Sequence, residues 1–244
     1  SPEGDGTGSP AYGWTEPSYD TSSWSAIRVP GSWTVQGFDD TPHYTNVQMP
    51  FDIMPPNVPG HNPTGLYRLE TTIPEDWQGR RIVLHIGSAE SCLELFVNGQ
   101  RAGLAKDTRL PSEFDITPFL AADGKACIAL KVIRYSDASF VEDQDQWWFG
   151  GIHRSVYLYA TESRFIEDVE ALTRVEGMSE DGLCGTGIIP LTVKLGYARI
   201  GDEANRQTNA ELDGQEVCIS YRVNKLGGTA AHGVPGPELA AGAV

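Results

Sequence analysis

The stretch Cys92-Leu-Glu-Leu-Phe-Val-Asn-Gly-Gln100 decides the fold of this chain. Cys92 to Val97 is a β-rich run, and Asn98-Gly99 is hairpin chemistry, because both central positions of a type I′ turn need φ > 0. A return strand is therefore expected from Gln100. Upstream, Arg81 to Ile86 is another β-rich run, and Leu66 to Thr72 alternates apolar and polar residues in its first half. Downstream, Leu110-Pro-Ser-Glu-Phe-Asp-Ile-Thr ends at Thr117, Cys127 to Val132 is an apolar run, and Ile152 to Tyr159 closes the set. Short strands at this spacing, with no convincing helical period, predict an all-β chain whose first domain is an antiparallel sandwich of jelly-roll type. Its expected span is 14–161.

Beyond Glu162 the texture changes. Phe165 to Val175, Ile188 to Ala198 and Glu216 to Val223 are strand candidates separated by Gly- and acid-rich stretches, with a last candidate at Leu239 to Val244. This pattern predicts an immunoglobulin-like β-sandwich over 162–244, cut short because so few strands cannot complete one. Gly201 to Gln215 reads as an extended loop. On the other side, residues 1–13 form a Gly-, Ser- and Pro-rich tail with nothing to bury, so disorder is expected there and structure from Trp14. Trp24 and Trp33, on either side of the Pro30-Gly31 turn, are expected core anchors. Val35 to Pro63 is too interrupted by Pro, Asn and Asp for regular elements, and loops of that length are usually functional or wrap a surface.

The composition excludes several functions. A net charge of −15 over 244 residues, with no Lys/Arg cluster, leaves no surface for nucleic acid or anionic membrane. No apolar run approaches the roughly 20 residues that span a bilayer, and Ser1 to Tyr12 lacks the order of a signal peptide, so the expected location is cytoplasmic. Cys92, Cys127, Cys184 and Cys218 have no metal-type spacing; Cys92 and Cys127, in strand-like runs, read as buried free thiols. With the five histidines scattered, no zinc site is expected.

The chemistry concentrates between Tyr135 and Arg154. There Asp137, Glu142, Asp143 and Asp145 accompany Trp147, Trp148 and Phe149 ahead of Gly150-Gly151. A carboxylate accepts hydrogen bonds from two neighbouring hydroxyls, and an indole covers the apolar face of a pyranose, so this mixture suits a sugar. The alternative is a solvated acidic loop whose tryptophans plug the end of the sandwich.

Six separated motifs then carry a resemblance. Val29-Pro-Gly-Ser-Trp33, Tyr44-Thr-Asn46, Asn62-Pro-Thr-Gly-Leu-Tyr67, Phe96-Val-Asn-Gly99, Asp107-Thr-Arg-Leu-Pro-Ser-Glu-Phe-Asp115 and Glu142-Asp-Gln-Asp145 resemble, in order, the N-terminal sugar-binding domain of glycoside hydrolase family 2 β-galactosidases. Gly151-Ile-His-Arg-Ser-Val-Tyr-Leu-Tyr159 is similar across the family, β-glucuronidases included, whereas Glu142 to Asp145 followed by Trp147 resembles the β-galactosidase branch. The resemblance implies a galactose-binding-like jelly roll, then an immunoglobulin-like domain, then a TIM barrel that this sequence does not contain. In the family the barrel carries both catalytic carboxylates, about 5–5.5 Å apart for retaining hydrolysis. No catalytic residue is therefore assigned here, and the chain reads as a fragment expected to be inactive alone.

By the same resemblance, Asp145 matches an aspartate that binds galactose hydroxyls and helps hold sodium, a hard cation suited to oxygen ligands. Magnesium would sit on the barrel. Glu90 falls where well-known members carry a sugar-contacting asparagine; an ionised Glu accepts but cannot donate, so its preference among hydroxyls would differ. Its other reading is an exposed strand-end acid. Trp147 and Trp148 are expected to be core or domain-interface residues, and Glu142 and Asp143 to support the loop. Expected partners are a galactoside, the barrel and possible further copies of the parent enzyme. An autonomous carbohydrate-binding module, with Trp147 and Trp148 exposed as its platform, is the alternative; another family 2 glycosidase such as a β-glucuronidase is a third reading.

Overall fold

A computed structural model of the chain describes residues 13–46, 49–180, 182, 185–198, 220–224 and 238–243. The first part contains β1 (Gly31–Ser32), β2 (His43–Thr45), β3 (Thr64–Thr72), β4 (Arg81–Ile86), β5 (Cys92–Val97), β6 (Gln100–Ala105) and β7 (Ser112–Asp115). It continues with β8 (Lys125–Ile133), β9 (Gln146–Trp148), β10 (Gly151–Ile152) and β11 (Val156–Thr161). Asn98 and Gly99 adopt φ of 50° and 81°, and Val97 faces Gln100, which is the two-residue turn their chemistry requires. The Asn98 side chain reinforces it by accepting the Cys127 amide at 2.8 Å and donating to the Phe119 carbonyl at 2.9 Å.

Two antiparallel sheets, ordered β3-β8-β5-β6 and β11-β4-β7, enclose the core. The strand period of two decides what enters it. Ile82, Leu84 and Ile86 of β4, Leu93, Leu95 and Val97 of β5, and Ala126, Ile128, Leu130 and Val132 of β8 form one buried cluster, with Val156, Leu158 and Ala160 of β11 packed against it. Each buried branched aliphatic contributes about 1.5–3 kcal/mol. Cys92 and Cys127 are buried free thiols, as expected. The sandwich reading therefore holds.

Three local expectations change. Ile152 to Tyr159 is not one strand: it breaks at residues 153–155, so that β10 pairs with β1 while β11 joins β4. Trp33 is a core anchor, but Trp24 is only half-buried, stacked on Trp14 with centroids 6.5 Å apart. The core aromatic on that side is Trp14, which the Arg68 guanidinium holds through the carbonyls of Trp14 and Pro17, both at 2.9 Å, and of Glu16 at 2.5 Å. The segment between Val35 and Pro63 does contain a regular element, β2, because β9 supplies its ladder partner.

After Thr161 come β12 (Arg164–Ala171), β13 (Arg174–Glu176), β14 (Thr186–Ile188) and β15 (Leu191–Tyr197), paired as β12-β15 and β13-β14. The chain divides into two units, residues 1–200 and 201–244. In the second, β16 (Ser220–Asn224) pairs antiparallel with β17 (Glu238–Ala243). The expected loop at 201–215, Cys184, Cys218 and the tail before Gly13 lie outside the described residues.

Candidate functional site

The acidic and aromatic stretch leaves the sandwich at the end of β8, where Arg134 fixes it. This side chain is 4% exposed, pairs with Asp40, and donates at 2.9 Å to the carbonyls of Thr41 and Trp148. Asp40 also accepts the Trp33 indole N–H at 2.7 Å. One buried cation thus ties the core, the segment before β2 and the far end of the loop together. Asn62 then clamps the backbone of Tyr135 in both directions, at 2.8 and 3.0 Å. Ser136 caps a 3-10 turn over Asp137–Phe140 with a reciprocal bond from Ser139.

Glu142 anchors the loop rather than facing solvent. Its two carboxylate oxygens accept from the Thr108 amide and hydroxyl at 2.7 and 2.6 Å, so the acid locks the loop to the residues after β6. Charge-assisted bonds of this kind are about twice as strong as neutral ones. Arg109 adds a bond to the Gln146 side chain at 2.5 Å.

Thus supported, β9 pairs with β2 in a small ribbon that separates the two tryptophans. Trp148 turns inward, 2% exposed, its indole N–H donating to Thr45 Oγ1 at 2.7 Å. Trp147 turns outward, 54% exposed, directly across from Tyr44, with ring centroids 5.6 Å apart. Trp148 is the core residue expected, whereas Trp147 lies on the surface of this chain; the strand period forces the split. Asp145, exposed, accepts the Tyr44 hydroxyl on Oδ1 at 2.5 Å and keeps Oδ2 free of the described residues. That bond raises the Tyr44 phenol above its ordinary pKa, with smaller contributions from desolvation and the Asp145 charge. Phe149 extends the aromatic surface, its ring centroid 6.4 Å from that of Trp147.

Glu90 occupies the inner side. It is not an exposed strand-end acid: it is 3% exposed, its backbone pairs with Gly151, and its Oε1 accepts the Phe149 amide at 3.2 Å. Burial pushes its carboxyl up to about 7, with Arg109, the Phe149 amide and Arg134 pulling back and Glu142 adding to the rise. Gly150 and Gly151 serve different ends here. A Cβ on Gly150 would collide with the Trp33 ring, while Gly151 has φ of +124°.

Structure therefore brings Asp145 and Glu90 to the two ends of one strand, one wet and one buried. The positioning residues Tyr44, Arg134, Asp40 and Thr108 went unassigned in the sequence. Tyr44 and Thr108 lie within recognisable motifs, but nothing local tells which carboxylate each would meet. His153 bonds Ser88 Oγ at 2.7 Å, and burial lowers its pKa, followed by the charges of Arg109 and Arg154. Among the described residues no three His, Cys, Asp or Glu gather as a metal group.

A jelly-roll sandwich presenting a braced acid and aromatic ribbon matches a known module. Residues 6–162 match the sugar-binding domain of glycosyl hydrolases family 2, and the chain belongs to that family. It is 42% identical over 163 residues to a β-galactosidase of Vibrio cholerae, a match covering 67% of this chain and 16% of that protein. To a β-galactosidase of Pseudoalteromonas haloplanktis it is 46% identical over 150 residues, covering 61% and 14%. The chain thus spans about one sixth of the length of the curated relatives it matches. Among solved structures, a β-glycosidase from Bacteroides vulgatus has TM-score 0.56 at 22% identity, covering 79% of this chain and 23% of that one. A Bacteroides uniformis β-glucuronidase has TM-score 0.55 at 19% identity, covering 78% and 26%. At those identities the likeness is one of fold.

Proposed function

We propose that this chain is the non-catalytic N-terminal part of a retaining β-galactosidase and that the outer face of the β2-β9 ribbon is one wall of its galactoside site. The single observation carrying this reading is Asp145: an exposed carboxylate held by Tyr44 beside an exposed indole, on a loop braced by Arg134, Asn62 and Glu142. A site that binds transition states needs such preorganised groups. The galactoside preference follows the relatives named β-galactosidases and the Glu142-Asp-Gln-Asp145 motif. The catalytic carboxylates belong to a barrel domain, and the boundary near Thr161 separates the sugar-binding sandwich from the immunoglobulin-like one.

Within this reading Oδ2 of Asp145 meets a sugar hydroxyl or serves as one ligand to a sodium ion whose other oxygens come from the barrel, where magnesium also sits. The donor chemistry fits a hard cation, but this chain offers one ligand and not a complete site. Glu90 forms the inner wall. With its pKa near 7, its carboxyl is neutral in a sizeable fraction of molecules at neutral pH and can donate as well as accept a hydrogen bond. That restores part of the amide-like versatility a Glu at this position seemed to forfeit.

The exposed Trp147 favours one second reading, a module that holds sugar by itself. The two separate in a hydrolysis and binding assay. A complete enzyme carrying this module is expected to cleave nitrophenyl β-galactoside far faster than the corresponding β-glucuronide, while the 244-residue chain alone does neither and binds galactose feebly. Preference for the glucuronide would overturn the galactoside assignment, and tight binding by the chain alone would favour the autonomous module.

A further inference from the structure

A cleft opens beside the Asp40 anchor. It has a volume of about 390 Å³, inside the range of small-molecule sites, and is walled by Trp24, Trp33 and Phe38 and edged by Asp39, Asp40 and His61. The acids are not equivalent. Asp40 is spent on Arg134 and the Trp33 indole N–H. Asp39 is exposed and bonds none of the described residues, and the same holds for His61. The aromatic walls are similarly graded: Trp33 is buried as a floor, Trp24 is half-buried, and Phe38 is exposed at the rim. Trp24 is fixed by stacking on Trp14 and by the Tyr19 edge, at centroid distances of 6.5 and 6.1 Å.

We propose that this cleft is a second carbohydrate-binding site, taking a pyranose with its apolar face toward Trp24 and Phe38 and its hydroxyls toward Asp39 and His61. The chemistry selects a polyol over other small ligands. The unpaired Asp39 repels anions, a carboxylate with an imidazole is idle toward a hydrocarbon, and a cation, which the rings and the carboxylate would attract, leaves the imidazole without a use. A sugar uses all of them: C–H groups on the rings, vicinal hydroxyls on the carboxylate, and a further hydroxyl on the imidazole. The floor is preorganised by the Trp33–Asp40–Arg134 chain, so little ordering opposes binding. The same chain of residues leads to β2 and Tyr44, which places the cleft and the Asp145 face on one continuous segment, 38–45.

The test is an amide NMR titration of the 244-residue chain with methyl β-galactoside and lactose. Expected are shifts at Phe38, Asp39, His61 and the Trp24 indole N–H, with Asp39→Ala and His61→Ala each weakening that binding at least about tenfold and Asp145→Ala leaving it unchanged. Asp39 and His61 are exposed and bond none of the described residues, so their variants are expected to fold, which their own spectra verify. Shifts confined to Tyr44 and to 145–149 would overturn this cleft and leave the Asp145 reading standing. Absence of shifts at both places, or Asp39→Ala and His61→Ala binding like the parent chain, overturns it as well.

Discussion

Glu90 and Asp145 bound the same three-residue strand yet inhabit different media. Glu90 grips the amide just beyond β9 from inside the protein, where burial lifts its pKa to about 7; Asp145 stands just before β9 in water, holding a phenol. One carboxyl stabilises the loop's inner side and carries an electrostatic cost. The other is free to meet a ligand. One three-residue strand thus joins a buried acid at one end to an exposed acid at the other, while the period of two turns Trp147 out and Trp148 in.

The sharpest way to break this comparison is to truncate the two tryptophans. Trp148→Ala removes a buried ring and its bond to Thr45, with an expected cost of about 3–5 kcal/mol in urea unfolding. Trp147→Ala, on the exposed face, is expected to stay within about 0.5 kcal/mol. Equal losses would mean that the two faces do not differ as described.

Next in size is the pH dependence of Glu90. Its folded pKa lies above the ordinary value of 4.5, so the folded state holds the proton more tightly than the unfolded one. Stability from this group is therefore full below about 4.5 and declines as pH rises to about 7, by an amount on the order of 3 kcal/mol. Glu90→Gln is expected to gain on the parent protein at pH 8 and to lose that gain toward pH 4.5. A difference that grows in acid would show that Glu90 is stabilised in its charged form.

The smallest effect sits on the wet side. Asp145→Ala removes the hydrogen bond that, ahead of desolvation and the Asp145 charge, holds the Tyr44 phenol above its ordinary pKa, so its ultraviolet titration should move down toward the ordinary tyrosine range. Stability should hardly change, because both groups are exposed.

The sandwich was legible because its strands are short β-rich runs bounded by turn residues and Asn98-Gly99 admits few backbone conformations. Arg81 to Ile86 and Cys92 to Val97 could be delimited to the residue for that reason. The break at residues 153–155 was not legible: β10 and β11 each look like strand, and only their different partners, β1 and β4, divide them. Likewise β2 has no strong pattern of its own and exists through β9. For the site, the types of residue were readable but not their depth. Trp147 and Trp148 are neighbours in sequence with opposite exposure, and Glu90 owes its burial to Gly151 and Phe149, some 60 positions away.

If the proposed function is right, the Asp145 face contacts the sugar. The most direct measurement is kcat/KM for a β-galactoside in the complete enzyme carrying this module, compared with its Asp145→Ala variant. A loss of at least about a hundredfold is expected, corresponding to about 2.7 kcal/mol of transition-state binding. The fold of the variant should remain intact. An unchanged kcat/KM in a properly folded variant would contradict the claim and return Asp145 to the status of a solvated loop acid.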